Sequence, residues 1–555
     1  TFQQFQQSFD TRRGGFGDAP KFPRPSELLF LLREHQRIRL RDDATARPAA
    51  DAALAMVVQT LRAMALGGMR DHIGGGFHRY SVDGNWRVPH FEKMLYDQAQ
   101  LVLAYLEAAQ ATGDPFFAQI AEDTLQYVRR DMTDEKGGFY SAEDADSEPP
   151  SHHVASNAAG AAAPRHKMEG AFYIWTADEI HTQLGDEAAI FEARYGVLPN
   201  GNAPFDPQNE FVNKNILHTA QSIADIARTA GKTPLQVAES LLRSRQLLFD
   251  VRELRPRPQL DDKVLTAWNG LMIAAFARAA RVLGGGILGE DNADDPTPVH
   301  LLNAVAAASF MRYTMWDPKT KRLLRRYRAG DAAIDAYAED YAYLIFGVLE
   351  LFQTTGDPEW LAWARELQAR QDELFWDAEG GAWFSTTGDD PSVLLRMKED
   401  YDGAEPAPSS VAALNCLTLA HLTGEASYDE RARAAMAAFG GRLEEMGRAV
   451  PMMAAALSTS LAAGEQIVIV GRSNDVATHK MWEAANASYR PFAVMTLVDP
   501  QEQAALAVQM PWVGGMQMLD GKPTAYVCRN FACNAPTTDI SALLPRQSDE
   551  AEPAQ

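Results

Sequence analysis

His72, His78 and His90 lie in one stretch, Asp71 to Tyr80 running on to Trp86 through Lys93, which holds three of the twelve histidines of the chain. Histidine titrates near neutrality, and two imidazoles on opposite faces of a substrate can remove and return a proton. Next to a ring-opened sugar carbonyl, that is the chemistry of 2-epimerisation or isomerisation. On this reading His78 and His90 are catalytic candidates, and His72, Arg79, Tyr80 and Trp86 are substrate contacts. The competing reading is that the same imidazoles brace a long loop through hydrogen bonds.

A second chemistry rests on carboxylates. Glu143, Asp144 and Asp146 form the densest acidic loop. Glycoside hydrolysis needs two carboxyls, roughly 5–5.5 Å apart for retention or roughly 6.5–9.5 Å for inversion. Glu143 or Asp144 would supply one, and Asp261, Asp262, Asp340 or Glu405 the other. A solvated loop or a helix cap is the plain alternative, and the spacing does not match an EF-hand. Asp97 follows Tyr96 at the start of a predicted helix, where it could bind sugar hydroxyls. Asp262 precedes a helix carrying Trp268 and Asn269, an aromatic face for stacking and an amide for hydroxyls. Asp340 and Tyr341 open another helix, and Asp402 and Glu405 precede the next. Cys528 and Cys533 could bind metal or pair as a disulfide; no second Cys or His pair follows, so they read as structural and no metal site is expected. The glycine clusters lack a lysine-serine or lysine-threonine ending and a βαβ setting, so phosphate-loop and dinucleotide readings fail. No cofactor is expected.

The elements that must position these groups repeat. Gly14-Gly15-Phe16, Gly75-Gly76-Phe77 and Gly137-Gly138-Phe139 place their aromatics at intervals of 61 and 62 residues, and Leu323 to Phe384 is again 61. A fixed period of this size signals a repeat of helix pairs. Apolar spacing predicts helices over 1–9, 26–40, 50–66, 90–112, 115–132, 263–284, 298–316, 336–356, 358–375, 406–424, 427–446 and 451–463. Six pairs closed into a ring bury faces that one pair cannot, and gather the long loops on one side. The fold class is therefore mainly α, an (α/α)6 toroid over 1–463 with a small α/β C-terminal lobe over 464–555. A loop-face block at about 141–262 interrupts the repeat, with a disordered or mobile piece at 148–168, a strand at 171–175, and helices near 177–195 and 234–249. Strands are predicted at 467–470, 493–498 and 524–528, and a polar tail at 546–555.

Several runs combine into a resemblance: Gly15-Phe16-Gly17 to Lys21-Phe22-Pro23, Gly75-Gly76-Phe77-His78-Arg79-Tyr80-Ser81, Val88-Pro89-His90-Phe91-Glu92-Lys93-Met94-Leu95-Tyr96-Asp97, and Tyr140-Ser141-Ala142-Glu143-Asp144-Ala145-Asp146-Ser147. Leu260-Asp261-Asp262-Lys263, Thr266-Ala267-Trp268-Asn269-Gly270-Leu271-Met272, Asp402-Gly403-Ala404-Glu405-Pro406 and Thr524-Ala525-Tyr526-Val527-Cys528 extend it over nearly the whole chain. Together they resemble the spermatogenesis-associated protein 20 family, also called thioredoxin-domain-containing proteins. The resemblance implies a helical part similar to the toroid of N-acylglucosamine 2-epimerases and six-hairpin glycosidases. It also implies a thioredoxin-like domain before the toroid. No cysteine precedes Cys416, so the expectation is that this domain is absent and that redox activity does not carry over.

Composition narrows the partners. With 52 basic and 74 acidic residues the net charge is −22, which disfavours nucleic acid and anionic membranes. No apolar run is expected to reach a membrane span. Three cysteines and no signal peptide point to a cytoplasmic setting. The chain opens on Thr1, which suggests an upstream segment was removed. The expected ligand is a small-molecule sugar or glycan, and homo-oligomerisation is open. The leading reading is a sugar epimerase or isomerase; a glycoside hydrolase and a non-catalytic glycan- or protein-binding scaffold are its rivals.

Overall fold

The structure is a computed structural model that describes residues 1–41, 43–150, 167–204, 206, 210–284, 298–389, 391 and 393–544. The helices in chain order are α1 (Phe2–Ser8), α2 (Pro25–Arg39), α3 (Arg47–Leu66), α4 (Leu95–Thr112) and α5 (Pro115–Asp131). Four helices of the inserted block follow, α6 (Ala177–Leu184), α7 (Ala188–Tyr195), α8 (Ile223–Ala230) and α9 (Pro234–Arg252). Then come α10 (Thr266–Val282), α11 (Val299–Phe310), α12 (Ala338–Thr355), α13 (Pro358–Phe375), α14 (Pro408–Thr423), α15 (Ala426–Ala438), α16 (Gly440–Met446), α17 (Pro451–Leu461), α18 (Val476–Ala487) and α19 (Gln503–Gln509).

Helices α2, α4, α10, α12, α14 and α17 each pack on the next, and α17 returns to α2. This closed circuit is the inner ring of an (α/α)6 toroid. Its helices are apolar nearly all round, as helices buried on every side must be: in α4 every residue from Leu95 to Ala108 is buried. The outer helices α3, α5, α11, α13 and α15 back onto α2, α4, α10, α12 and α14. Helices α10 and α12 approach most intimately because Gly270 and Gly347 face each other's backbone. A Cβ on Gly270 would sit 2.4 Å from the Tyr343 carbonyl carbon, and one on Gly347 would sit 2.3 Å from the Gly270 oxygen.

Among the described residues the repeat closes the same small turn five times, through the bridges Phe9–Phe16, Arg70–Phe77, Thr133–Phe139 and Trp376–Trp383 and through the glycine-free Trp316–Leu323. Each turn leads toward the amino end of an inner helix. In three repeats a lysine downstream staples the turn. Lys21 Nζ reaches Asp10 and the Gly14 carbonyl, Lys93 Nζ reaches Asp71 and the Gly75 carbonyl, and Lys398 Nζ reaches Asp377 and the Gly381 carbonyl. The connections at the other face are short. Gly113 and Gly356 end their helices at φ 68° and 72°, and Asp114 and Asp357 cap the next helix through the N–H of Phe116 and Glu359, as C-cap glycine and N-cap aspartate do.

Under that short-loop face lies the C-terminal lobe. Its strands pair in the order 493–498, 465–470, 524–529, 532–533; the first pair is parallel and joined through α18, the others are antiparallel. Cys528 and Cys533 form a disulfide across the last pair. Gln353 Oε1 accepts from Met495 N at 3.1 Å and Gln110 Nε2 donates to the Asn486 carbonyl at 2.6 Å, seating the lobe on the ring.

Two expectations are corrected and one is refined. Residues 171–175 form a turn rather than a strand: Tyr173 N donates to Gly170 O, and Arg255 takes the Phe172 and Ile174 carbonyls. The helix predicted over 298–316 is α-helical to Phe310 and runs on as a π-helical turn over Met311–Met315, and an unforeseen hairpin, Arg322–Arg328 with Asp331–Asp335, follows it. Helix α3 does have the length and apolarity to cross a membrane; here its face from Ala50 to Ala65 is buried in the toroid. Most of 148–168, namely 151–166, and the tail 546–555 lie outside the described residues.

Candidate functional site

The loop between Asp402 and Ala407 dips into the ring mouth and is pinned there from three sides. Asp402 accepts from Ala407 N and Met452 N, both at 2.7 Å, tying the amino ends of α14 and α17 together. Gln100 of α4 donates to the Ala404 carbonyl at 2.9 Å, and Tyr343 of α12 donates to the Pro406 carbonyl. Burial pushes the Asp402 carboxyl up to about 7.

Pinning this loop places Glu405 opposite α4. Its carboxylate accepts from Trp268 Nε1 at 2.9 Å, and Trp268 stands edge-on to Tyr96 with ring centroids 4.9 Å apart. Asp97, next along α4, is 3% exposed and its Oδ2 has no hydrogen-bond partner. Burial raises the Asp97 carboxyl well above its ordinary range; Glu405 and Glu92 add to this and Arg79 opposes it. Burial likewise lifts Glu405, to about 8, with Glu339 adding and the Trp268 bond opposing. Asp97, Tyr96, Arg79, Phe22, Arg24 and Tyr401 line a cavity of about 200 Å³.

Around the rim, Phe22 stacks on Tyr80 (4.7 Å) and Tyr80 on His90 (5.0 Å). Arg79 pairs with Glu92 at 2.8 Å. His90 Nδ1 lies 2.7 Å from Glu169, and its Nε2 lies 3.6 Å from Glu92. Those bonds push the imidazole up to about 9, so it is cationic at neutral pH. Asp146 is raised by burial and by Asp144 and Glu169, and Asp144 is an exposed neighbour of Lys167.

Other residues singled out for chemistry stand elsewhere. His78 is 2% exposed, binds the Phe91 carbonyl at 2.9 Å through Nδ1, and is pushed down to about 3 by burial. His72 binds the Gly67 carbonyl at 2.8 Å and is likewise about 3. Both are neutral braces beside the buried cluster of Asp71, Lys93 and Arg252. Glu143 is enclosed, accepting from Tyr127 at 2.6 Å and Arg257 at 3.2 Å, so it and Asp144 do not form an open pair. Asn269 is fully buried and clamps both the N–H and the carbonyl of Phe139 (2.7 and 3.0 Å). Gln98 does the same to Phe77 (2.8 and 2.7 Å), so that amide is a repeat device rather than a sugar contact. Trp86 is buried and donates to the Arg13 carbonyl. Tyr341 packs on Phe375. Asp340 is buried between Ala267 N, Tyr337 N and Arg325 and pushed up to about 6 by burial. Asp262 pairs with Arg328. The mouth therefore gathers Arg79, Tyr80, His90, Asp97, Trp268 and Glu405. Arg24, Tyr401 and Glu169 were not foreseen, since nothing in their local sequence sets them apart.

No family model matches the chain. Spermatogenesis-associated protein 20 of Homo sapiens is 37% identical over 564 residues, covering 98% of this chain and 68% of its own length. An uncharacterized protein of Caenorhabditis elegans is 34% identical over 561 residues, covering 97% and 71%. Among solved structures, a GH76 α-mannanase of Bacteroides thetaiotaomicron aligns with TM-score 0.45 at 8% identity over 82% of this chain and 92% of its own. A sugar epimerase from a ruminal bacterium aligns with TM-score 0.31 at 15% identity over 69% and 87%.

Proposed function

The chain belongs to the spermatogenesis-associated protein 20 family, and from that premise we propose that its ring mouth is a carbohydrate-active site working through Asp97 and Glu405. The observation that carries this reading is two carboxyls raised by burial and brought from opposite sides of the inner ring: Asp97 in the lining of an aromatic-edged cavity, and Glu405 next after Ala404 of that lining, bonded to Trp268. A carboxyl kept protonated by burial is suited to give its proton to a leaving oxygen. A carboxyl with a pKa of about 8 changes charge near neutrality and can take a proton from water. In hydrolysis, Asp97 donates to the glycosidic oxygen as the C–O bond breaks, and ionised Glu405 accepts the proton of the attacking water. Trp268 and Tyr96 offer ring faces and edges to a sugar, and Arg79 a hydroxyl donor. Proton transfer by histidine has less behind it: His78 is enclosed and neutral, and His90 is already protonated.

The test is proton NMR in D2O with the purified chain and a panel of free and oligomeric sugars. The expected result is a new reducing-end anomeric signal without deuterium at C2, lost in Asp97→Asn and Glu405→Gln with circular dichroism unchanged. Deuterium entering at C2 and surviving Asp97→Asn would overturn the assignment in favour of His90. Silence across the panel, with a sugar still binding, would leave a glycan-binding protein.

A further inference from the structure

The opposite end of the ring encloses a second cavity, of about 120 Å³, between the carboxyl halves of all six inner helices and the lobe segment 486–495. Its wall is a chain of buried ions. Arg33 of α2 forks onto Glu107 of α4 (2.9 and 3.0 Å), and Arg278 of α10 reaches the same carboxylate at 2.6 Å. Arg278 and Arg281 both bind Glu350 of α12. Tyr489 of the lobe donates to Glu107 at 2.8 Å. Three guanidinium groups thus face two carboxylates, leaving one positive charge in excess. The side chains of Arg33, Glu107, Arg281 and Glu350 are at most 10% exposed. The lobe adds Arg490, which pairs with Glu465 at 2.9 Å.

Two features separate this wall from a plain structural network. Glu107 and Glu350 already spend their oxygens on Arg33, Arg278, Arg281 and Tyr489, yet the Nε of Arg33, Arg281 and Arg490 and the Oγ of Ser488 are buried without a partner. Buried donors left unpaired are costly, and all four belong to residues that line this cavity. The inner helices also end here. The partial negative charge of their carboxyl ends offsets part of the excess, but those carbonyls do not reach the four free donors.

We propose that this basal cavity binds a small oxyanion, phosphate or a short carboxylate, which joins the C-terminal lobe to the toroid by accepting from Arg33, Arg281, Arg490 and Ser488. Such a ligand neutralises the excess charge and satisfies donors from the ring and the lobe at once. Its binding would couple the seating of the lobe to the supply of the anion. The site stands apart from the mouth, so its test is independent of the carbohydrate reading.

The experiment follows thermal unfolding of the full chain in sodium phosphate, sodium acetate and sodium chloride at matched ionic strength and pH 7. Phosphate is expected to raise the midpoint progressively with the logarithm of its concentration, as a ligand of the native state must, while chloride does not; a larger shift with acetate than with phosphate would identify a carboxylate as the preferred oxyanion. Arg281→Gln should abolish the shift. Because that variant also weakens the hold on Glu350, Ser488→Asp is the second probe: it places a negative charge at the cavity edge, on the half-exposed lobe side, and should erase the phosphate response in a folded protein. No phosphate shift in the wild-type chain up to tens of millimolar, or an equal shift in both variants, overturns the proposal.

Discussion

Replacing Lys93 with methionine removes an ammonium group that is 1% exposed and lies 2.9 Å from Asp71, itself 4% exposed. The same staple recurs at Lys21, 1% exposed against an Asp10 that is 21% exposed, and at Lys398, where both partners are about one-fifth exposed (21% and 22%). One motif therefore sits at three depths, and the cost of breaking it should follow depth. Removing one partner of a buried pair costs about 3–5 kcal/mol. Asp71 keeps Arg252 at 2.8 Å, which places Lys93→Met near the lower end. The Gly75 carbonyl also loses its donor, worth about 1 kcal/mol, so the sum is roughly 3–4 kcal/mol. At Lys398 water reaches both ions, and Asp377 keeps the N–H groups of Glu379 and Gly380, so a much smaller cost than at Lys93 is expected. Lys21→Met should fall between. Urea unfolding followed by tryptophan fluorescence and far-UV circular dichroism measures all three. A Lys398→Met variant as destabilised as Lys93→Met, or a Lys93→Met variant within about 1 kcal/mol of wild type, would refute the idea that burial sets the strength of the staple.

Gly270→Ala drives a methyl group into the Tyr343 backbone and should cost at least about 1–3 kcal/mol, read as a lower unfolding midpoint; an unchanged midpoint would mean α10 and α12 can separate freely. Glu405 has a folded pKa raised to about 8, so its protonated form favours the fold: the contribution is full below about 4.5 and is lost as pH rises through about 8. Glu405→Gln should therefore be more stable than wild type above pH 8, with the difference gone near pH 4, in paired denaturation series. His90 shows the same sign for a cation: its ion-pair contribution is full below about 6.5 and is lost as pH rises through about 9. Glu169→Gln removes its largest cause and should bring the imidazole back toward 6.5, visible in an NMR titration; a pKa still near 9 would place the cause elsewhere.

The ring was legible because burial on all sides writes a dense apolar pattern, and because the glycine-aromatic turn has to recur wherever an outer helix hands over to an inner one. The site was legible only in part. Trp268, Asp97 and Glu405 stood at predicted helix entrances, where residues from different repeats converge. Asn269 and Tyr341 stood there too, with His78 in the long loop before one of those entrances, and residue type alone does not tell a side chain facing the mouth from one turned back to hold a loop. Asn269 could have been separated by alignment with Gln98, since both fall in the first turns of inner helices and clamp the preceding turn. Glu169 had no such signal: it reaches His90 across 79 residues.

The circuit of inner helices ends where it began, with α17 against α2. An open stack of repeats can gain or shed a unit and still present two ends, provided the ends are capped. A closed circuit has no ends to cap, and its unit count is fixed by the angle each hairpin must turn. Loss of one hairpin would leave a gap that no neighbour can fill, so variation has to enter between hairpins rather than by adding them. The block between Ser141 and Asp262 is such an entry: it begins and finishes beside itself, in strands 142–143 and 260–261 that pair with each other, and so adds more than a hundred residues (roughly a domain's worth) without moving the wheel it hangs on.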